Sequence, residues 1–406
     1  MKHFHAESGA TSAPWSATVD TVAQRLAQTA VERDKTGGTA KAERDVIRDG
    51  GLLTLSTPVE FGGLGADWSS VLDVVRRFAE VDSSLAHLFG FHHLLLATTR
   101  LFGREEQWVP WFEQSAKHRW FWGNALNPLD RGAVAQPLEP AAGAGASAPH
   151  GFRFSGTKRF CSGARDSDML VASAFTQDDR LVIGVVPTSR EGILVRDDWD
   201  NMGQRQTDSG SVEFDNVRFD ASELLTDPGP LSTPFACLRP LLAQLILAHI
   251  YLGIGNGALR EARAFVQTSQ RPWIASSAAT ASEDPYVLSH FGDFWLGLEG
   301  ARLLTERAVA LFDHAWDRGA SLTDTERGEV AIGVAAAKVA TTRAGLEVAH
   351  RMFEVTGARA TTAALRLDRY WRNIRVHSLH DPVDYKVREL GDWALNDGLP
   401  RPSFYS

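Results

Sequence analysis

Cysteine is nearly missing from this 406-residue chain: only Cys161 and Cys237 occur, far apart and in no C-x-x-C pair. That excludes a disulfide-stapled scaffold and reads both residues as free thiols of a reducing compartment. Basic clusters are missing too. With 42 Lys and Arg against 50 Asp and Glu the formal charge is -8, which repels phosphate backbones and removes nucleic acid from the expected partners. The opening MKHFHAESGA lacks the apolar segment of a secretory leader. Long uninterrupted apolar runs are absent as well: Leu241 to Ile254 carries Gln244 and His249 and falls short of the ~20 residues that span a bilayer. The expectation is a cytoplasmic protein without membrane contact.

What the chain has in quantity is apolar and aromatic residues, 44% hydrophobic with 12 Trp and 21 Phe, enough for a large core. At roughly 150 residues per domain the length predicts two or three units. Residues 1–120 read as a helical domain, because Val19, Val22 and Leu26 and then Val71, Leu72, Val75, Phe78 and Ala79 recur at three- and four-residue spacing. A Pro- and Gly-rich loop, Thr57 to Gly65, interrupts it. Residues 121–233 read as a small β-barrel or sandwich, with β-rich segments at Phe152 to Phe154, Met169 to Ser173, Leu181 to Val186 and Ser211 to Phe214. The Ala/Gly/Ser-rich stretch from Ala141 to Ala148 reads as a flexible loop between strands. Residues 234–406 read as an antiparallel four-helix bundle, with long runs at Leu238 to Gln267, Tyr286 to Asp317 and Thr323 to Thr356 and a shorter one from Thr361 to Arg375. The fold class is mainly α with a central β domain.

Two motifs invite a simpler explanation than chemistry. Gly253-Ile254-Gly255-Asn256-Gly257 is glycine-rich like a dinucleotide loop, but it lies inside an apolar helix with no strand before it, so close helix packing explains it better. His87, His92 and His93 share one helix, and His377, His380 and Asp381 lie near the C-terminus. Imidazole and carboxylate are common metal ligands, as in a metal-dependent phosphohydrolase. No H-E-x-x-H pattern or further carboxylate set accompanies them, so no metal is expected.

Three segments, correctly spaced, resemble signatures of the acyl-CoA dehydrogenase superfamily. Pro58 to Gly65 resembles its P-x-x-[YF]-G-G-x-G loop, Gly156 to Gly163 its flavin strand, and Trp199 to Phe219 its W-x-x-x-G-x-R-x-T-x-S segment. The resemblance covers nearly the whole chain and implies a helical domain, a β-barrel and a four-helix bundle in that order. The chain departs where many members carry E-G-T as catalytic base, reading instead Arg372-Asn373-Ile374-Arg375-Val376-His377-Ser378-Leu379-His380-Asp381-Pro382. That string resembles the reduced-flavin, two-component monooxygenases of this fold, the dibenzothiophene monooxygenase group. An FAD-dependent acyl-CoA dehydrogenase or oxidase is disfavoured by the missing E-G-T.

The resemblance implies FMN, supplied as FMNH2 by a separate NAD(P)H-dependent flavin reductase, with O2 as co-substrate. A flavin C4a-(hydro)peroxide would pass one oxygen atom to a small or aromatic organosulfur compound; amine N-hydroxylation and aromatic hydroxylation occur on the same fold. It implies that His92 and His380 face each other across the flavin, with His377 nearby and Asp381 orienting one of them. It also implies Ser162 near flavin N5, Asn124 on the strand facing the ring with Asn127 as the lesser candidate, and Trp199 as a wall. Arg271 would hold the flavin phosphate, and Gly357 and Arg359 would reach the neighbouring subunit's flavin, which makes the protein a homo-oligomer, expected as a tetramer. The aromatic residues Phe91, Trp120, Phe121, Trp122, Phe160, Phe235 and Trp273 would suit an apolar substrate and equally suit core packing.

Overall fold

The computed structural model describes residues 13–138, 150–268 and 271–406. The stretch from Ala141 to Ala148, expected as a loop, lies outside the described residues, as do Ser269 and Gln270 beside Arg271. Among the described residues five helices come first: α1 (Ser16–Thr36), α2 (Lys41–Asp49), α3 (Trp68–Ala79), α4 (Ser83–Phe102) and α5 (Glu105–His118). Helix α4 starts where the Asp82 carboxylate accepts the backbone N–H groups of Ser84 and Leu85, and it stops at Gly103. Nearly every residue on it is buried, so it is a central helix and not a one-faced amphipathic one.

Seven strands follow: β1 (Trp122–Ala125), β2 (Ala133–Pro137), β3 (Gly151–Lys158), β4 (Met169–Phe175), β5 (Leu181–Pro187), β6 (Ile193–Val195) and β7 (Val212–Asp220). They form one sheet in the order β1-β4-β2-β3-β7-β6, with β5 also paired to β4. The four expected segments fall in β3, β4, β5 and β7; β1, β2 and β6 are too short or too polar to stand out in sequence. The sheet curls around its own apolar cluster, in which Phe154 stacks on Phe219 with ring centroids 4.0 Å apart.

The C-terminal region holds α6 (Leu238–Thr268), α7 (Pro285–Arg318), α8 (Asp324–Thr356), α9 (Asp368–His377) and α10 (Val383–Asn396). The long runs expected here are α6, α7 and α8; the shorter fourth helix begins at Asp368, seven residues after Thr361, and α10 follows it. Pro382 separates the last two helices, since a residue preceding proline is held out of the helical region. Helix α6 is long and apolar enough to cross a membrane by length and composition, but 89% of its most apolar stretch is buried inside this fold. A Cβ at Gly253 would lie 2.4 Å from the Arg76 carbonyl oxygen, and one at Gly257 would lie 2.2 Å from that of Glu80. The glycine-rich string is thus a close crossing of α6 over α3, as its helical setting implied.

Candidate flavin site

The most unusual polar groups in the interior are two histidines. His87 on α4 and His377, the last residue of α9, meet edge to face with ring centroids 4.8 Å apart. Phe91, one turn after His87, stacks on its imidazole at 4.0 Å. Both nitrogens of His87 and Nε2 of His377 have no hydrogen-bond partner among the described residues. Burial pushes His87 down to about 3, with the nearby His380 adding to the effect, and it holds His377 well below the ordinary imidazole range. Both rings are therefore neutral at pH 7.

His92 does not occupy that position. Its Nε2 donates to the Leu53 carbonyl at 2.7 Å, its Nδ1 accepts the Trp122 N–H at 3.1 Å, and its ring is sealed against Phe121. With both nitrogens committed to backbone it ties the turn before the Pro-Gly loop to β1, and it is His87, not His92, that meets the C-terminal histidine His377. His93 is likewise tied, through Nδ1 to Ser56 Oγ at 2.8 Å.

His380 sits in the turn after α9 with its side chain 40% exposed, and its Nδ1 donates to Asp381 Oδ1 at 3.1 Å. That bond leaves Nε2 with a lone pair when the ring is neutral. Asp381 also accepts from Lys338 Nζ at 3.2 Å, and Lys338 donates to Gln244 Oε1 at 2.7 Å. Lys338 is fully buried, and burial lowers it to about 8 against the opposing pull of Asp381. Burial pushes Asp381 up, but the His380 hydrogen bond and the Lys338 charge overcome this and hold it below the usual carboxylate range.

Around this cluster the β domain supplies hydroxyls and aromatics. Asn124 on β1 donates its backbone N–H to the Ser162 carbonyl at 3.0 Å, which places the two side by side. The Asn124 amide oxygen accepts the Leu126 N–H at 3.0 Å, leaving its NH2 as the available donor. Ser162 Oγ lies 2.7 Å from Ser209 Oγ, Ser209 donates to Thr207 Oγ1 at 2.7 Å, and Thr207 donates to the Gln204 carbonyl at 3.1 Å. Because that chain ends on an oxygen that can only accept, Ser162 must donate into it, and its remaining capacity is a lone pair. Trp199 donates to the same Gln204 carbonyl at 2.8 Å and meets the exposed ring of Phe160 edge to face at 6.1 Å. Asn127 is spent on a turn, its Oδ1 accepting Leu129 N–H and its carbonyl accepting the buried Lys158 ammonium.

Gln204 is the hub that sequence reasoning missed. Its Nε2 lies 3.3 Å from His377 Nδ1, its Oε1 accepts from Ser84 Oγ, and its backbone N–H donates to Asn373 Oδ1 at 2.8 Å. Arg372 beside it bonds both Asp34 and the Met202 carbonyl. The Arg-Asn pair of the C-terminal string thus clamps the N-terminal, β and C-terminal regions around the histidines.

Other expected residues lie elsewhere. Helices α6 and α8 run parallel, since Gln244 meets Lys338 and Gly345 lies against Tyr251 further along. Arg271 follows the end of α6, and Gly357 and Arg359 follow the end of α8, so all three share one pole of the bundle. At 1.5 Å per residue that pole is roughly 28 Å from Lys338. Of the aromatics, Phe91 and Phe160 line the site, whereas Phe121 backs His92, Trp122 Nε1 bonds Ser115, Phe235 packs on Trp316, Trp120 stacks on His118, and Trp273 is 75% exposed. Among the described residues no three His, Cys, Asp or Glu side chains converge as a metal site.

Comparison with known proteins agrees with this architecture. The signatures of the acyl-CoA dehydrogenase N-terminal, middle and C-terminal domains match residues 15–118, 131–217 and 245–385. The chain is 57% identical over 387 residues to the probable FMNH2-dependent monooxygenase SfnC of Pseudomonas putida, covering 95% of each. It is 41% identical over 400 residues to dibenzothiophene monooxygenase of Rhodococcus erythropolis, covering 95% of this chain and 94% of the relative. The structure of methanesulfinate monooxygenase MsuC from Pseudomonas fluorescens superposes with a TM-score of 0.93 at 58% identity, over 98% of this chain and 100% of that one. FMN-bound TdsC from Paenibacillus sp. A11-2 gives 0.89 at 40% identity, over 96% and 99%. With all three domains matched and close relatives aligned along almost its full length, the chain is a member of the acyl-CoA dehydrogenase family, in the branch of the FMNH2-dependent monooxygenases.

Proposed function

We propose that this protein is a two-component monooxygenase that uses FMNH2 from a separate NAD(P)H-dependent flavin reductase and O2 to oxygenate a small organosulfur compound. The observation that carries the reading is the buried His87 and His377 pair, with three ring nitrogens that no protein group among the described residues satisfies. Buried polar atoms left this way cost stability unless a ligand meets them. The groups linked to them suit a flavin: the hydroxyl chain from Ser162 ends on Gln204, whose side chain reaches His377, and Asn124 with its free NH2 lies beside Ser162.

When bound, reduced FMN supplies two electrons and activates O2, one oxygen atom passing to sulfur and the other leaving as water. The Ser162 lone pair would suit the N5–H that only a reduced flavin carries, and the Asn124 NH2 would be free to donate to such a ring. Trp199 and Phe160, which meet edge to face, would wall such a ring from water. His87 and His377, neutral at pH 7, offer ring N–H and lone pair where a proton must be held, and His380 takes or returns a proton at Nε2 while Asp381 fixes its tautomer. Acyl-CoA desaturation has no comparable base, because Asp381 is already engaged by Lys338 and His380 and precedes Pro382.

Arg271 would hold a flavin phosphate, and Gly357 and Arg359 would reach the flavin of a neighbouring copy, which their place at the pole away from the histidines supports; the assembly is a homotetramer. Exposed Tyr286, Leu288, Trp295, Leu296 and Leu303 along α7 give such an assembly an apolar surface to bury. The enzyme works in the cytoplasm, where the reductase and its nicotinamide supply are found. The test is turnover of methanesulfinate and of dibenzothiophene with a flavin reductase, NADH, FMN and 18O2. One labelled oxygen in the product supports the reading; no oxygenated product, with bleaching of bound FAD by an acyl-CoA, overturns it.

A further inference from the structure

Arg239 opens α6, 6% exposed in a segment that is otherwise apolar. Its Nε donates one long hydrogen bond, 3.4 Å to Thr98 Oγ1. Among the described residues no carboxylate lies within 4 Å of the guanidinium, and the only titratable group acting on its charge is the Tyr405 phenol. Burial without a counter-ion pulls its pKa down to about 10. The orphaned nitrogens of Arg44 and Arg327 are sealed in protein, whereas those of Arg239 are not. A guanidinium cannot shed its charge at neutral pH, and a buried charge with no partner is costly. The missing partner is therefore an anion that comes and goes.

The neighbours connect this charge to the flavin site. Thr98 lies two turns after Phe91 on α4, on the face that carries His87, and two turns amount to about 10 Å of helix. Tyr405, which acts on Arg239, packs 5.9 Å from the His380 ring. Gln244, further along α6 from Arg239, holds the Lys338 that fixes Asp381. Arg239, Lys338 and His380 thus surround the region with one acid, Asp381, among them.

We propose that Arg239 is the specificity-determining residue that anchors the anionic group of the substrate, and that the substrate class is a small organosulfur oxyanion such as an alkanesulfinate. The proposal rests on the monooxygenase reading for its chemistry, but the anion site itself does not need turnover. The planar fork of the guanidinium matches two oxygens of a sulfinate and leaves the sulfur lone pair directed away from the arginine, free to be oxygenated. A neutral aromatic sulfide would instead have to bury Arg239 unpaired, which disfavours it.

The experiment is calorimetric titration of methanesulfinate into wild type and Arg239→Met, each loaded with oxidised FMN, together with kcat/KM for methanesulfinate and dibenzothiophene. Loss of a charge-assisted fork predicts methanesulfinate binding weakened roughly 10- to 100-fold in Arg239→Met. The ratio of kcat/KM for methanesulfinate over dibenzothiophene should fall by a similar factor, and Arg239→Lys should lie between. Since Met removes an unpaired buried charge, its melting temperature should equal or exceed that of wild type, which separates lost binding from lost folding. Equal affinity in wild type and Arg239→Met overturns the proposal, as does failure of wild type to bind methanesulfinate. A matching loss of oxidised FMN affinity also overturns it, because the guanidinium would then hold the flavin phosphate. Binding that depends on Arg239 in a protein that oxygenates nothing upholds the anion site and sinks the monooxygenase reading alone.

Discussion

His87 and His377 stand edge to face at 4.8 Å with three of their four ring nitrogens unpartnered among the described residues, while His92, five residues from His87 on the same helix, has both of its nitrogens bonded to backbone. The two α4 histidines therefore respond oppositely to substitution. His87→Phe should abolish oxygenated product while leaving unfolding free energy within about 1 kcal/mol of wild type, because no protein hydrogen bond is lost. His92→Phe should cost about 2 to 4 kcal/mol, because it strands the Leu53 carbonyl and the Trp122 N–H. Denaturant unfolding of both variants beside a product assay checks this. Destabilised His87→Phe with a fully stable His92→Phe would reverse the assignment.

Which of these histidines meets His377 was not legible in the sequence, and the reason is geometric. Five residues turn a helix by about 500°, so the two rings point roughly 140° apart, and only knowledge of the inward face can choose between them. Helix α4 is apolar nearly all round, so its hydrophobic pattern names no inward face. The order of helical, β and helical regions was legible, because the apolar period changes from three or four to two and back. Strands β1 and β6 were not, at four and three residues. Lys338 and Arg239 did leave a trace: each is a lone charge inside an apolar run, Ala335-Ala336-Ala337-Lys338-Val339 and Leu238-Arg239-Pro240-Leu241. Such a residue is buried and needs a partner: that of Lys338, Asp381, lies far away in sequence, and the chain supplies no carboxylate for Arg239 among the described residues.

Lys338 acts through Asp381 on His380. Lys338→Met leaves a buried carboxylate without its cation and should cost about 3 to 5 kcal/mol, most of it recovered in Lys338→Met/Asp381→Leu. The double variant should fold but oxygenate poorly, and the pH profile of kcat should move, because His380 has lost its Nδ1 acceptor. Chemical denaturation and pH–rate profiles measure the two effects. Full activity with an unmoved profile in the double variant contradicts the relay.

Ser209→Ala removes the acceptor into which Ser162 donates. Ser162 can then offer its hydrogen to oxidised flavin, so the ratio of the Kd for reduced FMN to that for oxidised FMN should rise about tenfold. Anaerobic fluorescence titrations with the two flavin states give this ratio. No change would mean that the hydroxyl chain does not fix the serine's direction.

Acid should unfold the protein early. His87, His92 and His249 are lowered by burial to about 3, 4 and 4, and His93 and His377 are lowered well below the ordinary value by the same cause. Below the unfolded pKa near 6.5 the unfolded chain binds protons that the folded chain refuses, so stability falls with pH by about 1.4 kcal/mol per unit for each imidazole. Asp313, raised to about 6 chiefly by burial, binds its proton in the folded state first and offsets part of the loss between pH 6 and 4. Urea unfolding between pH 7.5 and 5 should show a steep decline, and His87→Phe should flatten it by one group's share.

The central claim is that the buried imidazoles and the Ser162 lone pair complete a site for reduced flavin and oxygen. The most direct measurement mixes anaerobic protein and reduced FMN with oxygenated buffer in a stopped-flow spectrometer and follows the return of oxidised-flavin absorbance. Wild type should delay that return well beyond free FMN, and His87→Phe should shorten the delay. Return at the free-FMN rate in wild type would contradict the account.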